Sequence, residues 1–272
     1  MAESWWRQVR SQLRSVTASR VVGFPNSSNR ASSFHLNWQL PYPATVAGGS
    51  QTGLTAIEVT LEVLEPPSVD RLYFWALQAN FADGQSRQAG GAHLGLQWHP
   101  GHPGSTAVNW GGYDHQGNIL SGSESALPSK MANPHTRDFL WQPMVPYRLR
   151  IERISSGSQS SWRGSVTRVS TGVTTMIREL YPAGEFISGV TMWSEVFARC
   201  DDPSVAIRWT DAQAEFSDSS SIQPAGFLVN YQSHKDGGCA NSDSFFDGVG
   251  LVQRTAVSRN TPLGQVILYN SG

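Results

Sequence analysis

The chain has 272 residues, a formal net charge of -1, only 15% charged residues and ten tryptophans. That length holds one large domain or two small ones. Near-neutral charge, with Lys scarce beside Arg, gives no electrostatic reason to expect a nucleic-acid partner, since phosphate binding is driven by clustered Lys and Arg. The 26 glycines, the aromatics and the Ser/Thr content point to mostly β structure.

The chain opens with "MAESWWRQVRSQLRSVTASR". Trp6, Val9, Leu13 and Val16 recur at helical spacing beside Arg7, Arg10 and Arg14, which predicts a short amphipathic helix over 1–20. Such a helix either packs its stripe on the main domain or lies on a membrane surface. No run is long enough to span a bilayer, and no apolar h-region marks a secretory signal. The composition nevertheless resembles that of extracellular proteins.

After the polar connector "GFPNSSNRASS" comes a β-sandwich domain, expected over 21–216. Its strand-like runs are "SFHLNWQL", "TAIEVTLEVLE", "RLYFWALQANF", "AHLGLQWH", "STAVNWGGY", "YRLRIERI", "SWRGSVTRVS", "VTTMIREL", "ISGVTMWSEVFA" and "VAIRWTDAQAEF". Short runs punctuated by Gly, Pro, Asn and Ser are the signature of a sandwich or barrel. The Ser-rich stretch 217–225 reads as a linker, and 226–272 as a β extension packed on the sandwich.

Alternation assigns faces. Leu94, Leu96 and Trp98 point one way, and His93, Gln97 and His99 the other. Val108 and Trp110 oppose Asn109, and Leu149 and Ile151 oppose Arg148. Val190, Met192 and Val196 oppose Trp193 and Glu195, while the polar end of "RLYFWALQANF" carries Gln78 and Asn80. Amides, imidazoles and a guanidinium around Trp193 and Tyr113 are what a sugar needs, since hydroxyls pair with polar groups and a pyranose face stacks on an aromatic ring. The expected ligand set is therefore Gln78, Asn80, His93, Gln97, His99, Asn109, Tyr113, Arg148, Trp193 and Glu195.

Glu195, within an apolar strand, is the one candidate for a catalytic acid, with Asp83, Asp114 or Asp211 as a partner. A strand Glu of this kind otherwise finds an arginine, here Arg148 or Arg208. His99 and His102 stand as H-x-x-H near Asp114 and His115, but on a Pro-Gly loop that fixes no spacing, so no metal site is expected. No nucleotide-binding loop, nucleophile elbow or calcium-binding helix–loop motif occurs, and no cofactor is expected. Cys200 and Cys239 are either two free thiols or one bridge closing a loop worth roughly 3–4 kcal/mol.

"LYFWALQANFADG", "GGAHLGLQWHP", "WRGSVTRVSTGVTTMIREL" and "GVTMWSEVFARCDDPSVAIRWTDAQAEF" together resemble concanavalin A-like jelly rolls. With "NYQSHKDGGCANSD" the chain also resembles an uncharacterised bacterial family, from about Leu54 onward. The jelly-roll resemblance implies sugar-binding modules, lectins or endoglucanases. The endoglucanase run E-x-D-x-x-E is absent, and "NPHTRD" and "DHQGN" hold calcium-ligand types without an array. The expectation is an all-β jelly-roll sandwich that binds carbohydrate. The alternatives are a glycan-cleaving enzyme using Glu195 and a structural or protein-interaction sandwich.

Overall fold

A computed structural model describes residues 31–41, 53–156 and 159–268. The helix expected over 1–20 lies outside the described residues. What is described is all-β, and every strand pairing is antiparallel. The strands of the first half are β1 (Ser32–Gln39), β2 (Leu54–Glu65), β3 (Tyr73–Ala82), β4 (Gln88–Trp98), β5 (Thr106–Tyr113), β6 (Thr136–Asp138), β7 (Pro146–Ser156) and β8 (Gln159–Arg168). The second half supplies β9 (Val173–Leu180), β10 (Phe186–Val196), β11 (Ala206–Phe216), β12 (Ser221–Ile222), β13 (Gly226–Tyr231), β14 (Ser242–Phe246), β15 (Leu251–Thr255) and β16 (Val266–Leu268).

Two sheets result. The first runs β16-β13-β1-β10-β3-β4-β5-β6, and the second β14-β15-β11-β2-β7-β8-β9. A single pair, Ile187 with Leu54, joins them. They face each other as a β-sandwich around one apolar core that includes Trp75, Trp110, Trp162 and Trp209. Close approach of the layers is visible at Gly164 on β8, where a Cβ would stand 2.7 Å from the Trp110 ring on β5. The layers also share a polar tie. The buried Gln253 side chain on β15 accepts from the Trp209 indole (3.0 Å) and the Ser194 hydroxyl (3.0 Å), and donates to the Phe34 carbonyl (2.9 Å). Its carbonyl oxygen is filled by two buried donors that would otherwise be orphaned.

The C-terminal segment is part of both sheets. β13 pairs with β1 from Phe34↔Tyr231 to Gln39↔Gly226, and β15 pairs with β11. The Ser-rich stretch 217–225 is a turn that brings β12 back onto β11, so it is not a free linker. Its Asp218 carboxylate accepts from the Ser220 backbone at 2.9 Å, the local bond that favours a turn there. Cys200 and Cys239 form a disulfide that ties the segment before β11 to the one before β14.

Candidate ligand-binding face

The outward side of the first sheet is laid out by its register. One row runs Ser33, Glu195, Phe74, Gln97, Ala107 and Asp138 across β1, β10, β3, β4, β5 and β6. The next holds Asn230, His35, Trp193, Ala76, Gly95, Asn109 and Thr136. The third holds Leu228, Asn37, Thr191, Gln78, His93 and Gly111, and the fourth Gly189, Asn80, Gly91 and Tyr113. Paired residues of an antiparallel sheet share a face, so eight of the ten expected ligand residues lie on these rows.

They do not form one small site. The centre is closed. Trp193 is only 4% exposed and packs edge-on against Phe74, ring centroids 4.8 Å apart, and against His93 at 5.6 Å. Its indole N–H donates to Gln78 Oε1 at 3.0 Å, and Gln78 Nε2 donates to Asn80 Oδ1 at 2.8 Å. Trp193 was expected to be an open stacking surface. It is instead the buried pin of a polar-aromatic cluster, because Phe74 of the neighbouring strand covers it.

The fourth row is exposed at its Tyr113 end. Tyr113 is 44% exposed and stands beside Gly91, with Asn80 on the far side of that glycine. Asn80 and Thr191 are half-buried, and the Thr191 hydroxyl donates to Asn37 Oδ1 at 2.9 Å. An exposed ring, a glycine floor and an amide held by its neighbours thus lie side by side. His93 stands one row below and is kept neutral. Burial, and secondarily His135, lowers its pKa to about 4. Burial alone does the same to His35, also to about 4.

Gln97 and Asn109 are buried. Asn109 Nδ2 donates to the Thr136 hydroxyl at 2.9 Å, while Gln97 Oε1 and Asn109 Oδ1 have no partner. Glu195 is half-buried, with the Ser33 hydroxyl 3.5 Å away. It stands four residues along β10 from Thr191, the partner of Gln78, which is about 13 Å at the rise of a strand. Arg148 is on the other sheet. It stands beside Glu58 at 3.7 Å in an ionic ladder where Arg150 also holds Glu58, Glu152 and Glu215. Arg208 lies in the same layer, bonded to Glu62 and Asp247. Neither arginine shares a face with Glu195.

His99 stands in the loop after β4, its ring edge-on to His102 at 4.9 Å, and its Nδ1 accepts from the Gly101 backbone. His102 is buried, and its Nδ1 lies 2.5 Å from Asp138, not near Asp114. Asp138 also accepts from the Lys130 backbone and so holds the loop that carries His135 over Gly111. Asp114 is filled by a turn, accepting from the backbones of Gln116 and Asn118 and from the Asn118 amide. Among the described residues, no group of three or more His, Cys, Asp or Glu could hold a metal ion. His135 and its neighbours Arg137 and Arg178 escaped the strand-based reading. The one signal was "NPHTRD", which mixes His and Arg in a loop.

No family model matches the chain, and no curated protein matches it. The resemblance to an uncharacterised bacterial family therefore finds no counterpart. Among solved structures, the chain is similar to scytalido-glutamic peptidase bound to a peptide-based transition-state analogue, at 12% identity and TM-score 0.44, over 83% of this chain and 98% of that one. It is similar to a member of the eqolisin family of peptidases at 12% identity and TM-score 0.42, over the same shares. A tailspike protein of an Escherichia coli bacteriophage follows at 12% identity and TM-score 0.25, over 82% of this chain and 27% of that one. Fold likeness of this order transfers no reaction.

Proposed function

We propose that the chain is a carbohydrate-binding protein built on a sandwich of jelly-roll type. The observation that carries this is the row Tyr113, Gly91 and Asn80, exposed at its Tyr113 end. An exposed phenol ring offers a stacking surface, Gly91 between Tyr113 and Asn80 carries no side chain, and Asn80 is oriented by Gln78. Rigid aromatic area plus fixed amides is the chemistry that holds a pyranose. The Gln78–Trp193 bond and the packing of Phe74 and His93 set that amide before any ligand arrives, which lowers the ordering cost of binding.

Cleavage at Glu195 is the second reading. Glycoside hydrolysis needs a second carboxylate about 5–9.5 Å away. In the strand rows of this face the other carboxylate is Asp138, four strands distant, or about 19 Å at normal strand spacing. An acid partner for Glu195 would have to come from a loop.

A glycan array with the purified chain tests the proposal, with each hit repeated on Tyr113→Ala. Binding that falls at least tenfold in the variant, about 1.4 kcal/mol, supports it. Hits that ignore the substitution, or no hits, count against it.

A further inference from the structure

Beside this face lies a second feature, an open polar depression of about 370 Å³, within the size range of small-molecule sites. Ser125, Ser129, Asn133 and Arg137 border it. Arg137, on β6, is half-buried. Its Nη1 donates to the carbonyls of Asn133 and Thr136. Behind it stands Arg178 of β9, which is 4% exposed. Arg178 Nη1 donates to the Pro134 carbonyl at 2.7 Å, and its Nε has no partner. Its Nη2 packs against Gly122, where a Cβ would come within 2.3 Å.

Every acceptor that these two guanidiniums meet is a neutral carbonyl. No carboxylate of the described residues forms an ion pair with either. The nearest in sequence, Asp138, is committed to His102 and the Lys130 backbone. Glu179, next to Arg178, is held by Arg163 and the Ser161 hydroxyl. An unpaired buried charge is costly, and a second like charge beside it adds repulsion. The repulsion is felt by the neighbours. Burial lowers the Arg178 pKa and Arg137 lowers it further. His135 is lowered by burial first, then by Arg178 and Arg137. Arg150 and Arg208, also half-buried, are by contrast paired with carboxylates.

We infer that the depression at Arg137 is a carboxylate-binding subsite, and that its ligand is an acidic sugar, a uronate. The carboxylate would meet the free edge of Arg137, with Arg178 supplying a fixed positive field behind it, and the serine and asparagine side chains would face the hydroxyls. Capture of the carboxylate rests on the arginines alone. The sugar assignment rests on the carbohydrate reading above and narrows it to acidic glycans.

The test is titration of the full chain and of Arg137→Gln with an oligogalacturonate and with its fully methyl-esterified form. The two ligands differ in the charge of the carboxyl group and in the methyl that the ester adds. The wild type is expected to bind the acid at least about tenfold more tightly than the ester, the size of one charge-assisted hydrogen-bonded contact. Arg137→Gln is expected to bind both alike. Equal affinities in the wild type, or a difference that survives Arg137→Gln, would overturn the subsite. If neither form binds, the carbohydrate reading fails, and free acetate and glucuronate then decide the anion claim. A saturable shift of the Arg137 Nε–H resonance supports carboxylate capture, and an unmoved resonance overturns it. Arg137 is half-exposed, so its substitution leaves the core intact. Matching thermal unfolding of both chains without ligand confirms this.

Discussion

Acid should unfold this protein earlier than its carboxylates alone would allow. His35 is buried between Asn230 of β13 and Trp193 of β10, and burial lowers its pKa to about 4. In the unfolded chain the same imidazole titrates near 6.5. The folded value is the lower one, so between the two values the unfolded state binds the extra proton. The stabilising contribution is complete above pH 6.5 and is lost as pH falls toward 4. A separation of about 2.5 pH units corresponds to about 3 kcal/mol for His35. His93, also lowered to about 4 by burial and then by His135, acts in the same direction and window. Glu179 and Glu215 also have lowered values, from hydrogen bonds to Ser161 and Arg163 and to Arg150, but their contribution fades only as pH falls through and below about 4.5. Urea unfolding at intervals from pH 7 to 4.5 isolates the histidines. The wild type is expected to lose most of the His35 contribution in that window, and His35→Gln, which cannot charge, should have a slope flatter by about that amount. Identical slopes for the two chains, or a His35 titration by NMR near 6.5, would refute the reasoning.

Other consequences are equally direct. Gln253→Leu keeps the volume but orphans the Trp209 indole and the Ser194 hydroxyl; at about 1–3 kcal/mol for each orphan, chemical unfolding should show a loss of several kcal/mol, and a loss below about 1 kcal/mol would deny the tie between layers. Gly164→Ala puts a methyl 2.7 Å from the Trp110 ring and should cost about 1–3 kcal/mol as overpacking does, with an unchanged melting temperature as the contrary result. Replacing Cys200 and Cys239 together by Ser opens a loop with a sequence separation of 39 and should cost roughly 3–4 kcal/mol in the chain-entropy account, which equal stability of the two chains would contradict.

The strands were legible where one face is dry. In β3 the run Tyr73, Trp75, Leu77, Ala79 and Phe81 is buried throughout, and in β4 Leu94 and Leu96 point inward while His93 points out. Trp98 also turns inward, but it is only partly buried, with its indole on the Val69 carbonyl. Alternation assigns a side, not a sheet and not a depth. Arg148 has the same outward parity as Gln78, yet β7 belongs to the second layer, a matter of long-range register that no local pattern carries. Trp193 has the outward parity of Glu195 but is sealed by Phe74, a neighbour brought in by pairing with β10. β13 reaches β1 across most of the chain, so the β extension expected on the sandwich carried no local sign of its partner strand. Arg137 and Arg178 come from a loop-borne short strand and an edge strand, and alternation within one strand does not bring such residues together.

The most direct measurement of the central claim is calorimetric titration of a glycan hit into the wild type, Tyr113→Ala and Glu195→Gln, with the ligand recovered and analysed afterwards. Intact ligand is expected throughout. Affinity should be at least about tenfold weaker in Tyr113→Ala, the loss of one stacking contact. Glu195→Gln, which keeps the carbonyl acceptor and stands about 20 Å along β10 from the Tyr113 row, should change it by less than about 1 kcal/mol. Cleaved ligand from the wild type, with cleavage lost in Glu195→Gln and binding kept in Tyr113→Ala, would contradict that claim.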